Sequence, residues 1–240
     1  MSKDIFKYQL KEKEKEIAHE ILKEENAIVD GIINIDQYIK AKYRILWVLK
    51  EPYSNIGGWN FQDYLSKRDI ESKKGKKNDP LKKMIWKKIF YSTYGLLHLD
   101  IDYDNIPEVT DASVYGTGEQ IAYINLKKTG GGSSSKYDII CDAYKRNEEI
   151  LFDQIIAYDP NIIIFGNTLF YFDSSKMEKI CWNINPSNKQ YVDKMTGNTT
   201  YYVTSNERLC IHTNHPSYWK LTNKEYCSEI LHSAKIWMEK

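Results

Sequence analysis

Four short, nearly unbroken apolar runs constrain this chain more than any other feature: Tyr43 to Leu49, Ile121 to Leu126, Asn161 to Phe165 and Glu207 to His212. A strand covered on both faces reads as a continuous apolar run, whereas a strand with one wet face alternates apolar and polar residues. Long segments separate the runs, enough for the crossovers that parallel strands require. The pattern predicts an α/β protein: a three-layer α/β/α sandwich around a central, mostly parallel four-stranded sheet. Open sheets of this kind place their chemistry at the carboxyl ends of the strands. The segments that leave the runs are therefore where functional residues should lie.

The intervening segments read mainly as helices. Residues from about Ile5 to Asn26 carry Ile17, Ala18, Ile21 and Leu22 at helical spacing among Lys and Glu. A short apolar stretch, Ile32 to Ile35, leads into a helical turn through Tyr38 and Ile39. Asp79-Pro80 forms an N-cap with proline at the first helical position. The helix it opens carries Leu81, Met84, Ile85 and Ile89, and residues 99–119 are turn-rich. A helix over Arg146 to Tyr158 precedes the third run, and Glu225 to Met238 closes the chain. Residues from about 190 to 204 flank Met195-Thr196-Gly197-Asn198 and predict a β-hairpin inserted ahead of the last strand. One domain accounts for residues 1–240.

The formal charge is +1, from 34 basic and 33 acidic residues, so the molecule as a whole is not drawn to polyanions and any phosphate-binding face must be local. Lys73-Lys74-Gly75-Lys76-Lys77, Lys87-Lys88 and Lys127-Lys128 are candidates for such a face, against the plainer reading of a solvated surface. After Lys127-Lys128 comes Thr129-Gly130-Gly131-Gly132, which could offer backbone N–H groups to a phosphate but lacks the P-loop pattern, so the segment is expected to be a mobile solvent loop. Four cysteines, Cys141, Cys181, Cys210 and Cys227, are spread without a C-x-x-C pair, which fits reduced thiols and a cytoplasmic protein and argues against a metal site. No run of about 18 apolar residues suggests a membrane span.

Taken together, the four strand ends resemble the uracil-DNA glycosylase superfamily. Leu49-Lys50-Glu51-Pro52-Tyr53 stands against that family's G-Q-D-P-Y-H or G-E-x-P-G, and Tyr123-Ile124-Asn125-Leu126-Lys127-Lys128 against Y-I-T-N-x-V-K. Asp159-Pro160-Asn161 to Gly166 is similar to P-x-x-I-x-x-L-G, and His215-Pro216-Ser217 supplies the closing motif. The resemblance spans Tyr43 to Trp219. It implies a protein that flips uracil or another altered base out of DNA and hydrolyses its N-glycosidic bond, as a monomer, with no metal or cofactor and no membrane partner. It also implies roles for particular residues. Glu51 would orient water or stabilise the sugar cation, and His215 would hold the base oxygen that gains charge. Asn125 would read the base edge, since an amide presents a donor beside an acceptor. Tyr53 would guard against a thymine methyl, Trp59 or Phe61 would stack on the base, Ser217 would contact a phosphate and Trp219 would wedge into the duplex. Lys127 and Lys128 would face the DNA backbone.

The chain also departs from the family. Leu49 and Lys50 replace smaller or differently charged residues ahead of the carboxylate, Ser54 replaces a histidine, and the cysteines of the iron–sulfur branch are missing from the first and second motifs. Two other functions stay open at this point: a catalytically inactive nucleic-acid- or nucleotide-binding module of the same fold, and a small-molecule hydrolase that uses Glu51 and His215 as an acid–base pair.

Overall fold

Each of the four apolar runs forms a strand of five residues, and these strands lie side by side. The computed structural model describes residues 3–180, 182, 190–191, 199–204 and 206–239. In chain order the elements are α1 (Lys3–Ile21), β1 (Gly31–Ile32), α2 (Ile35–Lys40), β2 (Ile45–Leu49), α3 (Phe61–Tyr64), α4 (Lys67–Lys73) and α5 (Met84–Leu97). They continue with α6 (Ala112–Tyr115), β3 (Ile121–Asn125), α7 (Tyr137–Tyr158), β4 (Ile162–Gly166), α8 (Ser174–Lys179), β5 (Gln190–Tyr191), β6 (Thr200–Val203), β7 (Leu209–Thr213) and α9 (Asn223–Met238).

The sheet order is β1-β3-β2-β4-β7-β6-β5. The four predicted strands form its parallel centre, in the order β3-β2-β4-β7. The expectation of a four-stranded sheet is corrected, because β1 pairs antiparallel with β3 at one edge and β6, followed by β5, pairs antiparallel at the other. A strand of two residues carries no readable periodicity, so β1 was invisible as a strand in the sequence. The predicted hairpin is present as β5 and β6; its turn, Met195 to Asn198, lies outside the described residues.

Strand alternation divides the core into two layers. Trp47, Leu49, Tyr123, Ile164 and Ile211 pack with α5 and α9 on one face. Leu46, Val48, Ile124, Ile163 and Cys210 pack with α1 and α7 on the other. The buried Trp47 indole donates to Thr93 Oγ1 at 3.2 Å, so its polar edge is satisfied within the first layer. Helix α1 stops at Ile21, before the predicted end, while α7 begins at Tyr137 and not at Arg146. The extra turns of α7 are held by Ile140, Ala143 and Tyr144, which continue its buried stripe. Helix α9 starts from a reciprocal cap: Thr222 Oγ1 accepts from the Glu225 N–H at 3.1 Å, and Glu225 accepts from the Thr222 N–H at 2.8 Å. Among the described residues no helix is long and apolar enough to cross a membrane.

Candidate functional site at the strand ends

The β2 and β3 ladder does not stop where the strands do. The Leu126 and Lys127 N–H groups donate to the Leu49 and Lys50 carbonyls at 2.9 Å each, Gly131 N–H donates to Pro52 O at 2.8 Å, and Ser54 N–H donates to Gly131 O at 3.3 Å. The glycine-rich segment is therefore zipped to the loop after β2, which corrects the expectation of a mobile loop. Its composition follows from the close approach. A Cβ on Gly130 would stand 2.2 Å from Ser54 O, and one on Gly131 would stand 2.0 Å from the Glu51 carboxylate. Residues 26–30 strap both loops from below: Ile28 N–H donates to Lys128 O at 2.6 Å, and Val29 N–H donates to Trp59 O at 3.1 Å.

This zipper fixes Glu51. Its side chain is 7% exposed, and Oε2 accepts from Lys127 Nζ at 3.0 Å while the same ammonium donates to Gly130 O at 2.6 Å. Oε1 makes no hydrogen bond among the described residues. Asn125, on β3, is in register with Leu49 on β2. It is fully buried, yet neither Oδ1 nor Nδ2 has a hydrogen-bond partner among the described residues. The Asn125 amide interacts with the buried Tyr123 phenol and draws down a pKa that burial raises far above the usual value, but this contact falls short of hydrogen-bond geometry. An unpaired amide in a core costs on the order of 1–3 kcal/mol and calls for an explanation. The Asn125 backbone, by contrast, is tied down: its N–H donates to Asp30 Oδ2 at 2.7 Å.

His215 comes from the loop after β7. Its Nδ1 accepts the Ser217 N–H at 3.2 Å and lies 2.7 Å from Ser217 Oγ. A ring nitrogen that accepts a backbone N–H carries no proton, so the neutral imidazole holds its hydrogen on Nε2, free to donate. Burial pushes the His215 pKa down to about 4, and the Lys50 and Lys88 ammoniums push in the same direction. The loop is pinned from two helices: Lys88 Nζ of α5 donates to Tyr218 O at 2.7 Å, and Tyr226 OH of α9 donates to Asn214 O at 3.1 Å. Nδ2 of Asn214, beside His215, is another buried donor without a partner. Gly166 at the end of β4 lets the loops meet, because a Cβ there would stand 2.3 Å from Leu49 Cδ2, 3.1 Å from Pro216 Cδ and 3.8 Å from His215 Cα.

The remaining predicted residues divide. Tyr53 is 78% exposed and Trp219 73% exposed, both at this end of the sheet. Trp59 is half-buried; its indole N–H is near Ser54 Oγ at 3.3 Å and Ile56 O at 3.1 Å, and its ring is tilted against Phe61 at 4.8 Å. Phe61 is corrected from a base-stacking ring to a core ring. It is 2% exposed, and it packs against Tyr123 at 4.5 Å. Lys128 is corrected from a DNA contact to a core residue, fully buried and bonded to Asp30 Oδ1 at 2.7 Å. Lys127 is committed to Glu51 and offers no free charge to a phosphate. Lys88, read in sequence as part of a surface cluster, is buried and holds the His215 loop. Sequence reasoning missed Asp30 and Lys88 as positioning residues; a charged residue in an otherwise apolar helical stripe was the available signal for Lys88.

A neutral donor, an unpaired amide and a carboxylate thus stand at or just beyond the carboxyl ends of β7, β3 and β2. No protein-family model matches the chain, and no curated protein matches it in sequence.

Proposed function

We propose that this chain is a uracil-DNA glycosylase-like hydrolase that removes uracil or another altered base from DNA. The observation that carries the reading is Asn125. A buried amide with an unused donor and an unused acceptor is the complement of an imide edge such as that of uracil, and it stands in the same row of strand ends as a neutral histidine and a carboxylate. The parallel order β3-β2-β4-β7 that brings these ends together supports the same fold assignment.

In this reading the C1′–N1 bond breaks with its electron pair passing to the base, and water adds to C1′ while giving up a proton. Glu51 Oε1 faces the sugar cation or the water, with Oε2 held by Lys127. His215 donates from Nε2 to the base oxygen that gains charge, a donation that needs no proton transfer. Exposed Trp219 is the wedge, exposed Tyr53 lines the mouth, and Ser217, whose hydroxyl already meets His215, approaches the DNA backbone.

The test is incubation with single- and double-stranded oligonucleotides carrying uracil, hypoxanthine and other altered bases, followed by alkaline cleavage of abasic sites. The expected result is strand scission with at least one base, reduced roughly 10²- to 10⁴-fold in Glu51→Gln. Absence of scission with every substrate overturns the reading. One observation favours a second reading, a catalytically inactive nucleic-acid-binding module of this fold. Leu49 is fully buried beside Asn125 and reaches over Gly166 towards His215, filling space that a base would need. Salt-sensitive DNA binding without product would select that alternative.

A further inference from the structure

Between Ser72 and Leu97 the chain carries eight lysines and one acidic residue, Asp79, although its formal charge is only +1. Asp79 is buried and spent on the backbone, accepting from the Gly75 N–H at 2.7 Å and the Leu81 N–H at 2.8 Å. Lys82 Nζ closes the loop by donating to Gly75 O at 2.9 Å and Lys76 O at 3.3 Å, and Gly75, at φ +80°, supplies the left-handed turn. The lysine-rich loop is therefore built, not loose. Three more lysines are compensated by neighbouring elements: Lys73 pairs with Asp69 of α4, Lys74 donates to Thr110 O at 2.8 Å near Asp111, and Lys88 donates to Tyr218 O near Glu225. Lys76, Lys77, Lys83 and Lys87 are not. None of these four is buried, and their ammoniums make no hydrogen bond or ion pair among the described residues. Lys83 and Lys87 stand one turn apart, the Lys87 N–H donating to Lys83 O at 3.1 Å, at the start of α5. That turn holds no acidic residue and is the positive end of the helix dipole, where a cation is disfavoured.

We infer that Lys76, Lys77, Lys83 and Lys87 form an interaction surface for the phosphate backbone of DNA, next to the loop that carries Trp219. The inference rests on the DNA partner proposed above and adds to it the surface that supplies the affinity. Lys88 joins the two parts: it follows Lys87 on α5, and its ammonium holds Tyr218 O at 2.7 Å. Trp219 comes next, largely exposed, with Lys220 Nζ 5.7 Å from its ring centroid. Cations in series beside an exposed ring match a polymer of phosphates and bases. A lipid surface would ask for an apolar face, and between Ser72 and Leu97 Met84 is the one large apolar residue that is exposed. Lys127 and Lys128 are committed to carboxylates and cannot serve in this role. A chain close to neutral overall can still hold a polyanion when its uncompensated charge is gathered in one place.

The experiment titrates the intact chain into a fluorescent duplex oligonucleotide without altered bases, at a series of salt concentrations. Four phosphate contacts give a slope of about −3.6 in log K against log salt, so wild-type affinity should fall roughly 100-fold over a fourfold rise in salt. Lys76→Gln, Lys77→Gln, Lys83→Gln and Lys87→Gln combined should remove most of that slope. A matched variant, Lys11→Gln, Lys40→Gln, Lys42→Gln and Lys145→Gln, alters exposed lysines elsewhere, changes the net charge equally and should bind as the wild type does. The first variant should melt no lower than the wild type, since it removes cations from the positive end of α5. An unchanged slope in that variant, or equal losses in both, overturns the inference. So does binding to phosphatidylserine vesicles that depends on the four lysines while DNA binding does not. Base release is read separately: its absence alongside lysine-dependent DNA binding would remove the glycosylase reading and leave the surface standing, and release by a chain whose binding ignores the four lysines would do the reverse.

Discussion

Lys127 and Lys128 are adjacent in sequence, and each forms an ion pair with a carboxylate, but they belong to different parts of the molecule. Lys127 meets Glu51 at 3.0 Å with 15% and 7% of the two side chains exposed, and Lys128 meets Asp30 at 2.7 Å with neither exposed. Successive residues leaving a strand turn to opposite sides. One lysine therefore enters the strand-end site and the other the core beneath it. The outer pair fixes a carboxylate that keeps one oxygen free. The inner pair is saturated: Asp30 also accepts from the Asn125 N–H and from Gln154 Nε2 at 3.0 Å, and Lys128 also donates to Gln154 Oε1 at 2.9 Å. The same pairing of lysine with carboxylate leaves an oxygen open in the outer pair and closes the bonds of the inner one.

Breaking the inner pair should have the largest effect on stability. Asp30→Ala leaves a buried ammonium uncompensated and is expected to cost about 3–5 kcal/mol in chemical denaturation. Replacing both partners, as Asp30→Leu with Lys128→Met, should recover much of that loss, because it removes both buried charges. If the double variant is no better than Asp30→Ala, the hydrogen bond to Asn125 N–H, and not the ion pair, is the main contribution.

The outer pair should respond more weakly in stability and more strongly in function. Lys127→Met is expected to cost roughly 1–3 kcal/mol, since water still reaches the pair, while slowing base release by releasing Glu51 from its fixed position. A stability loss equal to that of Asp30→Ala would erase the distinction between the two pairs.

A smaller effect tests how far the inner network extends. Gln154 Nε2 lies 3.3 Å from Tyr158 OH, and Tyr158 in turn hydrogen-bonds Glu14 of α1. Burial raises the Glu14 pKa to about 7, against the hydrogen bonds from Tyr158 and the Ile32 backbone. A carboxyl whose pKa is raised by folding favours the native state while protonated, so its penalty grows as pH rises from about 4.5 to about 7. Glu14→Gln should thus unfold at a higher temperature than the wild type at pH 8, with the gain vanishing near pH 4.5. A gain independent of pH would place the cause elsewhere.

His215 gives the smallest expected change, and its smallness is the test. With its pKa pushed down to about 4, the imidazole stays neutral throughout the mildly acidic range, and base release should show no loss attributable to this residue between pH 7 and about pH 5. An inflection near pH 6.5 that disappears in His215→Gln would show an ordinary, solvated histidine.

The sequence made the parallel centre of the sheet legible because strands buried on both faces need continuous apolar runs, and β2, β3, β4 and β7 have them. It placed Glu51, Asn125 and His215 at strand ends for the same reason. One edge strand escaped it, since β1 is too short to carry a pattern, whereas the turn signal ahead of the last strand made the hairpin of β5 and β6 legible at the other edge. The fates of the lysines escaped it too: a pair of adjacent lysines reads as a basic patch, and nothing local says that Asp30, far away in the chain, waits for one of them. Phe61 escaped for a related reason, since an aromatic in a glycine-containing loop reads as a pocket wall until Tyr123 is found against it. The residue types and their positions along the strands were determined by sequence alone. Which donors remain unpaired, which charges cancel and which stay open were decided only by the tertiary structure, because each depends on what packs across from a side chain.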